Sequence, residues 1–148
     1  MPLRVNKLMT ETTTRLSVLL ADDNPEMLDA VRSVLSPKFE VVGTVSNGQE
    51  AVQAESELHP EIAIMDISMP VMNGIKAVRE MTRRGSRMKV VFLTVNEGCD
   101  FVRAAFECGG SAYVLKRQMA TDLNIALEEA LAGRRYVSPG CDMPDEIS

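Results

Sequence analysis

A chain of 148 residues is long enough for one domain with a substantial core and hardly for two. Its 45% hydrophobic and 25% charged residues are those of an ordinary globular protein, and without Trp the core volume must come from Val, Leu, Ile, Met and Ala. The formal charge of −5 argues against a broad nucleic-acid footprint, which needs a clustered basic surface, and fits a pocket rich in carboxylates. No apolar run reaches the length of a membrane span, and Met1–Thr14 lacks the apolar stretch of a secretory signal. Cys99, Cys108 and Cys141 show no Cys-x-x-Cys spacing. On one helix, Cys99 and Cys108 would stand roughly 13 Å apart along the axis, too far for a disulfide. These features lead us to expect a cytoplasmic protein with structural or bystander thiols, no zinc site and no membrane partner.

Polar residues dominate positions 1–14, so a flexible N-terminal tail is expected there. Short apolar runs of strand length follow at Leu16–Ala21, Phe39–Val45, Ile62–Met65, Val90–Leu93 and Ala112–Leu115. Several are apolar on successive residues, which suits strands buried on both faces of a parallel sheet. Helical patterns lie between them. Asn24–Pro25 is an N-cap followed by proline at the first helical position, with Met27, Val31 and Val34 on one face. Asn47–Gly48 opens a second helix that His59–Pro60 ends. Asn73–Gly74 opens a third, with Ile75, Val78 and Met81 inward, and a fourth spans Cys99 to Glu107 before Gly109–Gly110. Leu123, Ala126, Leu127, Ala130 and Leu131 mark the last, closed by Gly133. Five strand–helix units in strict alternation argue for a doubly wound α/β sandwich over residues 15–137. From Arg134 onward, with Ser138–Pro139–Gly140 and Pro144, the chain reads as an unstructured exit, a C-terminal tail or linker over 138–148.

In an open parallel sheet, ligands bind beyond the carboxyl ends of the strands, near the point where strand order reverses. The residues that follow the apolar runs are therefore the candidates. They are Asp22 and Asp23 after the first, Asp66 after the third, Thr94 after the fourth and Lys116 after the fifth. Each alone has an ordinary explanation: a helix-starting carboxylate, a turn residue, a good strand former, a snorkelling lysine. Together they put three carboxylates, a hydroxyl and an ammonium on one edge of one sheet. Clustered carboxylates repel unless cations intervene. Lys116 supplies one, and Mg²⁺ suits a site with one or two direct carboxylates and an incoming phosphate. A carboxylate so neutralised can act as a nucleophile on a phosphoryl group.

At this point the sequence resembles the response regulator receiver family. The matching pieces are Leu19–Leu20–Ala21–Asp22–Asp23, Met65–Asp66–Ile67–Ser68–Met69–Pro70–Val71–Met72–Asn73–Gly74, Phe92–Leu93–Thr94 and Tyr113–Val114–Leu115–Lys116. Gly109–Gly110–Ser111–Ala112 and the ending Gly133–Arg134–Arg135–Tyr136–Val137–Ser138–Pro139 resemble the NarL/FixJ (LuxR-type) subfamily most. The resemblance implies a flavodoxin-like five-stranded parallel sheet of order 2-1-3-4-5 with five helices. It implies that Asp66 accepts a phosphoryl group from a sensor histidine kinase or phosphotransfer protein. Asp23, Asp66 and the Ser68 carbonyl would ligate Mg²⁺, with Asp22 acting through a bound water. Thr94 and Lys116 would contact the phosphate, and Tyr113 would be the aromatic switch that moves inward when Thr94 is drawn toward it. The readout surface would be the face around helix four, strand five and helix five, or helices one and five.

That subfamily ordinarily continues into a helix-turn-helix domain, so regulation of transcription and a homodimer formed on phosphorylation are implied. This chain itself would bind no nucleic acid, and the alternative is a stand-alone receiver acting by protein–protein contact. Two positions depart from the pattern. Val95 follows Thr94 where many receivers carry a small residue, which predicts slower phosphotransfer or hydrolysis. Arg117 stands where many have proline, which weakens the case for a cis peptide after Lys116. Rival readings fit less well. A haloacid-dehalogenase-like enzyme places its nucleophile and second Asp two residues apart after strand one, whereas Asp22 and Asp23 are adjacent. A flavin or nucleotide binder would need a glycine-rich loop where Asp22–Asp23–Asn24–Pro25 stands. A receiver that signals without phosphorylation would have no need of the intact Asp, Thr and Lys set.

Overall fold

The computed structural model describes residues 15–141, so the tail expected over 1–14 and the chain from 142 lie outside the described residues. Strands β1 (Leu16–Ala21), β2 (Phe39–Val45), β3 (Ile62–Met65), β4 (Lys89–Thr94) and β5 (Ala112–Leu115) alternate with helices α1 (Pro25–Val34), α2 (Gly48–Leu58), α3 (Gly74–Arg83), α4 (Cys99–Glu107) and α5 (Met119–Leu131). A 3₁₀ turn, Lys116–Gln118, leads into α5. The sheet is wholly parallel, in the order β2-β1-β3-β4-β5 expected of the doubly wound fold.

The expectation that failed concerns the exit. Tyr136–Val137 form a sixth strand, β6, which pairs in parallel with β5 through Ala112↔Tyr136 and Tyr113↔Val137. Ser138 follows it into the interior at 2% exposure, so the chain from Arg134 is not an unstructured exit through its described part. The physical reason is that β5 would otherwise leave one edge unpaired, and a parallel strand returning after α5 satisfies it.

Successive residues of each central strand face opposite layers, and both layers are closed. Leu19, Met65, Phe92 and Tyr113 pack with Ala51, Val78, Met81 and Val102 of α2, α3 and α4 on one side. Val18, Leu20, Ile62, Ile64, Val91 and Val114 pack with Val31 of α1 and Leu123 and Leu127 of α5 on the other. This is why the strands are apolar at consecutive positions. Each fully buried Leu stabilises the fold by about 1.5–3 kcal/mol before entropy is charged against it.

The helices begin where asparagines cap them. Asn24 accepts from the Glu26 N–H at 2.9 Å, Asn47 from Glu50 at 2.8 Å and Asn73 from Lys76 at 2.8 Å. Such caps stabilise a helix by about 1 kcal/mol and fix the point where each strand-to-helix loop ends. At its other end α2 stops at His59, whose φ of 49° lies in the left-handed region.

No disulfide joins the three cysteines. Cys108 is buried and donates to the Ala105 carbonyl at 3.2 Å, and burial pushes its thiol up to about 11. A thiol that is both shielded and protonated is unreactive. Ellman's reagent at neutral pH should therefore leave Cys108 unmodified in the folded protein and modify it on unfolding in urea. Peptide mapping that finds it labelled under native conditions would contradict this.

Candidate functional site

The carboxyl ends of β1 and β3 lie side by side because β1 is followed in space by β3 on one flank and β2 on the other. Ala21 is in register with Met65, and the Asp66 N–H donates to the Ala21 carbonyl at 2.9 Å. The next residue of each strand therefore has to face the same crevice. Asp22 and Asp66 are 5% and 6% exposed, whereas Asp23 is open to solvent. One carboxylate oxygen from each of Asp22, Asp23 and Asp66 lies within 4.8 Å of the others.

Thr94 ends β4 and is opposite Leu115 of β5, which brings Lys116 to the same edge. The Lys116 Nζ stands 2.9 Å from Asp22 Oδ2 and 3.1 Å from Asp66 Oδ2, bridging the two buried carboxylates. Burial holds the Asp66 carboxyl above its ordinary value, opposed by Lys116 and reinforced by the Asp22 charge. Burial works against the Lys116 charge, but its hydrogen bond to Asp22 and the two neighbouring carboxylates outweigh it, and its value is raised. One ammonium among three carboxylates leaves the crevice negative, and its convergent hard oxygens match the preference of a small divalent cation. The residues present thus fit such an ion. Both Asp22 oxygens already have partners, because Oδ1 accepts the Asn24 N–H at 2.9 Å while Oδ2 faces Lys116.

Thr94 is completely buried, and its Oγ1 accepts from both the Asn96 N–H at 3.2 Å and the Asn96 Nδ2 at 3.0 Å. Its own hydroxyl hydrogen is left to donate. Tyr113 is also fully buried, so it already has the inward position that the resemblance reserved for the switched form, and its hydroxyl donates to the Asn96 carbonyl at 2.7 Å. Burial pushes that hydroxyl well above the ordinary phenol range. Ser68 is exposed on the loop two residues after Asp66, and Val95, next to Thr94, is 68% exposed.

The structure therefore brings Asp22, Asp23, Asp66 and Lys116 together at one sheet edge. Sequence reasoning missed Asn96, which ties Thr94 to Tyr113. An asparagine in a short loop carries no pattern of its own; only its spacing of two from Thr94 could have pointed to it. Arg117, by contrast, is not the proline of many receivers and forms an ion pair with Glu97 in the loop after Thr94. Among the described residues every peptide bond is trans.

The receiver architecture has close counterparts. The response regulator receiver domain family matches residues 18–128. The transcriptional regulatory protein DegU of Brevibacillus brevis is 30% identical over 127 residues, covering 84% of this chain and 54% of DegU. The nitrate/nitrite response regulator protein NarL of Escherichia coli K12 is 31% identical over 124 residues, covering 82% of this chain and 57% of NarL. The chain thus spans little more than half the length of these relatives. Among solved structures, a LuxR-family two-component response regulator from Aurantimonas sp. SI85-9A1 superposes with a TM-score of 0.79 at 33% identity, covering 83% of this chain and 89% of that one. No helix among the described residues is long and apolar enough to cross a membrane. With the fold, the acidic crevice and these relatives in agreement, the chain belongs to the receiver domain family of two-component response regulators, on the branch related to transcriptional regulators such as NarL and DegU.

Proposed function

We propose that Asp66 is the phosphoacceptor of a signalling switch that takes its phosphoryl group from a sensor histidine kinase or phosphotransfer protein. The observation that carries this reading is Lys116 bridging Asp22 and Asp66 beside Asp23, a cluster that is costly to bury unless it has a use. Asp23, Asp66 and the Ser68 carbonyl would hold Mg²⁺, with Asp22, whose oxygens are already engaged, acting indirectly. Bound there, the ion supplies the positive charge that lets an anionic donor approach a carboxylate.

An Asp66 carboxylate oxygen attacks phosphorus and forms a new P–O bond. The donor's P–N or P–O bond breaks, and its electron pair leaves with the imidazole or carboxylate. Lys116, already in contact with Asp66, pairs with a phosphoryl oxygen, and the Thr94 hydroxyl donates to another. Because Asn96 joins Thr94 to the Tyr113 hydroxyl, movement of Thr94 toward the phosphoryl group is passed to Tyr113. Tyr113 biases a two-state surface around α4, β5 and α5, or α1 and α5, which leads to dimerisation and control of transcription. The domain catalyses its own phosphotransfer and no reaction on an outside substrate.

Incubation with Mg²⁺ and acetyl phosphate, followed by intact-mass analysis, tests this reading. A single phosphoryl adduct is expected in the wild type and none in Asp66→Asn or in chelator. An adduct that survives Asp66→Asn would exclude Asp66 as acceptor. The lifetime of the adduct is expected to shorten a few-fold in Val95→Ala, since a β-branched side chain next to Thr94 would narrow access to the phosphoryl site; Val95 itself is 68% exposed. Equal decay rates in the two proteins would remove that role for Val95.

A further inference from the structure

The end of β5 carries Tyr113 and leads directly into Lys116, and on the side away from β4 it is the C-terminal segment that holds it. Beyond the two residue pairs of β6, the Ser138 N–H donates to the Tyr113 carbonyl at 2.9 Å. The Ser138 Oγ then accepts the Leu115 N–H at 3.1 Å, one residue before Lys116. Its hydroxyl hydrogen goes to Asp122 Oδ2 of α5 at 2.7 Å, and Asp122 Oδ1 accepts from Thr121 at 2.9 Å. Ser138 is 2% exposed and Asp122 8%, so this is a fully used buried polar network. A serine side chain thus stands where a further backbone bond would continue the sheet. Cys141, half-buried, closes the turn through its N–H to the Ser138 carbonyl at 3.3 Å and packs on the core layer that contains Tyr113.

From this juxtaposition we propose that Ser138 is a positioning residue of the Asp66 site, fixing the β5 end so that Lys116 and Tyr113 reach their places. The inference rests on the reading of Asp66 as phosphoacceptor. It adds that the C-terminal segment is part of the site's machinery, so the coupling runs in both directions. Loss of the Ser138 hydroxyl leaves the buried Leu115 N–H without its partner and removes one of the hydrogen bonds to Asp122, loosening the end of β5. A phosphoryl group that draws on Lys116 and Thr94 in turn changes how firmly residues 138–141 dock.

The test is the rate of adduct formation from acetyl phosphate and Mg²⁺ in wild type, Ser138→Ala, Ser138→Thr and Val31→Ala. Val31→Ala removes a buried side chain from the opposite core layer and serves as the stability control. Ser138→Ala is expected to slow the reaction about fivefold or more, the factor that one lost hydrogen bond of roughly 1 kcal/mol represents. Ser138→Thr keeps the hydroxyl and restores the rate, and Val31→Ala leaves it unchanged while lowering Tm. Reciprocity is read from iodoacetamide modification of Cys141, resolved by peptide mapping, which is expected to change rate in the phosphorylated protein. Ser138→Ala reacting at the wild-type rate, Val31→Ala slowing as much as Ser138→Ala, or a Cys141 rate indifferent to phosphorylation would each overturn the positioning role and leave Asp66 as acceptor intact. A wild type that forms no adduct would overturn both.

Discussion

Replacing Lys116 by methionine is expected to destabilise the folded domain by about 3–5 kcal/mol at neutral pH in metal-free buffer, the scale seen when one partner of a buried ion pair is removed. Lys116 is 15% exposed and its two carboxylate partners 6% and 7%, so water compensates poorly for its loss. What remains is Asp22 facing Asp66, with Asp23 nearby and no cation between them. The sign of the pH dependence follows from the direction of the Asp66 shift. Its carboxyl is already raised by burial, and loss of Lys116 removes the main influence that lowers it. The folded state then binds a proton more tightly than the unfolded chain, so stability rises as pH falls through the folded value toward the unfolded one near 3.9. The gap between Lys116→Met and wild type should therefore narrow in acid. In wild type the raised Lys116 value contributes stability below its unfolded value near 10.4, lost as pH rises through the folded one. Millimolar Mg²⁺ is expected to restore part of the loss by binding only the folded chain. Urea unfolding across pH, with and without Mg²⁺, measures all of this. A variant as stable as wild type at neutral pH in chelator would show that the ammonium does not offset the carboxylate repulsion.

How much of this was legible in the sequence follows from what each feature depends on. The strands were readable because β3 (Ile62–Met65) is buried at every residue, and a strand of four residues in a sheet covered on both faces produces such a short apolar run. The helix starts were readable because Asn24, Asn47 and Asn73 do their work within three residues of themselves. The convergence of Asp22, Asp23, Asp66 and Lys116 was readable as a consequence of topology, since each is the first or second residue beyond its strand. The exceptions depend on partners remote in sequence. Tyr136–Val137 is too short to show a period, and it is a strand only because the β5 edge needs it. Ser138 looks like a turn residue before Pro139, yet its environment is set by Asp122, 16 positions away. Asn96 gains its role from Tyr113, 17 positions away. Local rules carry local signals, and the links of the site to the rest of the domain are not local.

Gly74→Ala is the second large effect expected, with a loss of about 2–4 kcal/mol in stability together with loss of phosphoryl acceptance. The glycine is not there for its conformational freedom, because it opens α3 behind the Asn73 cap with no positive φ. It is there for close approach. A Cβ at this position would stand 2.0 Å from the Asp66 carbonyl oxygen and 3.0 Å from both the Asp66 carbonyl carbon and Met65 Cγ. The first contact is with backbone, which cannot rotate away as a side chain can. Relief requires that α3 move off the sheet or that the Asp66 peptide turn, and either displaces the carboxylate from Lys116. The loop between them has little slack. The Gly74 N–H donates to the Ile67 carbonyl at 2.8 Å, and the Gly48 N–H donates to the Met72 carbonyl at 2.7 Å from the start of α2. Between these ties Val71 is held at φ 68°, a conformation that costs a β-branched residue about 1–2 kcal/mol. A loop that already carries such strain cannot absorb more without giving up its hydrogen bonds. Gly85→Ala supplies the contrast, because Gly85 has φ 90° but no atom within 4 Å of its missing Cβ. Its alanine variant should lose only about 1–2 kcal/mol, all from the backbone, and should accept phosphate at the wild-type rate. If Gly74→Ala proves as mild as Gly85→Ala in both stability and phosphoryl acceptance, the close approach of α3 to Asp66 is not what holds the acceptor in place.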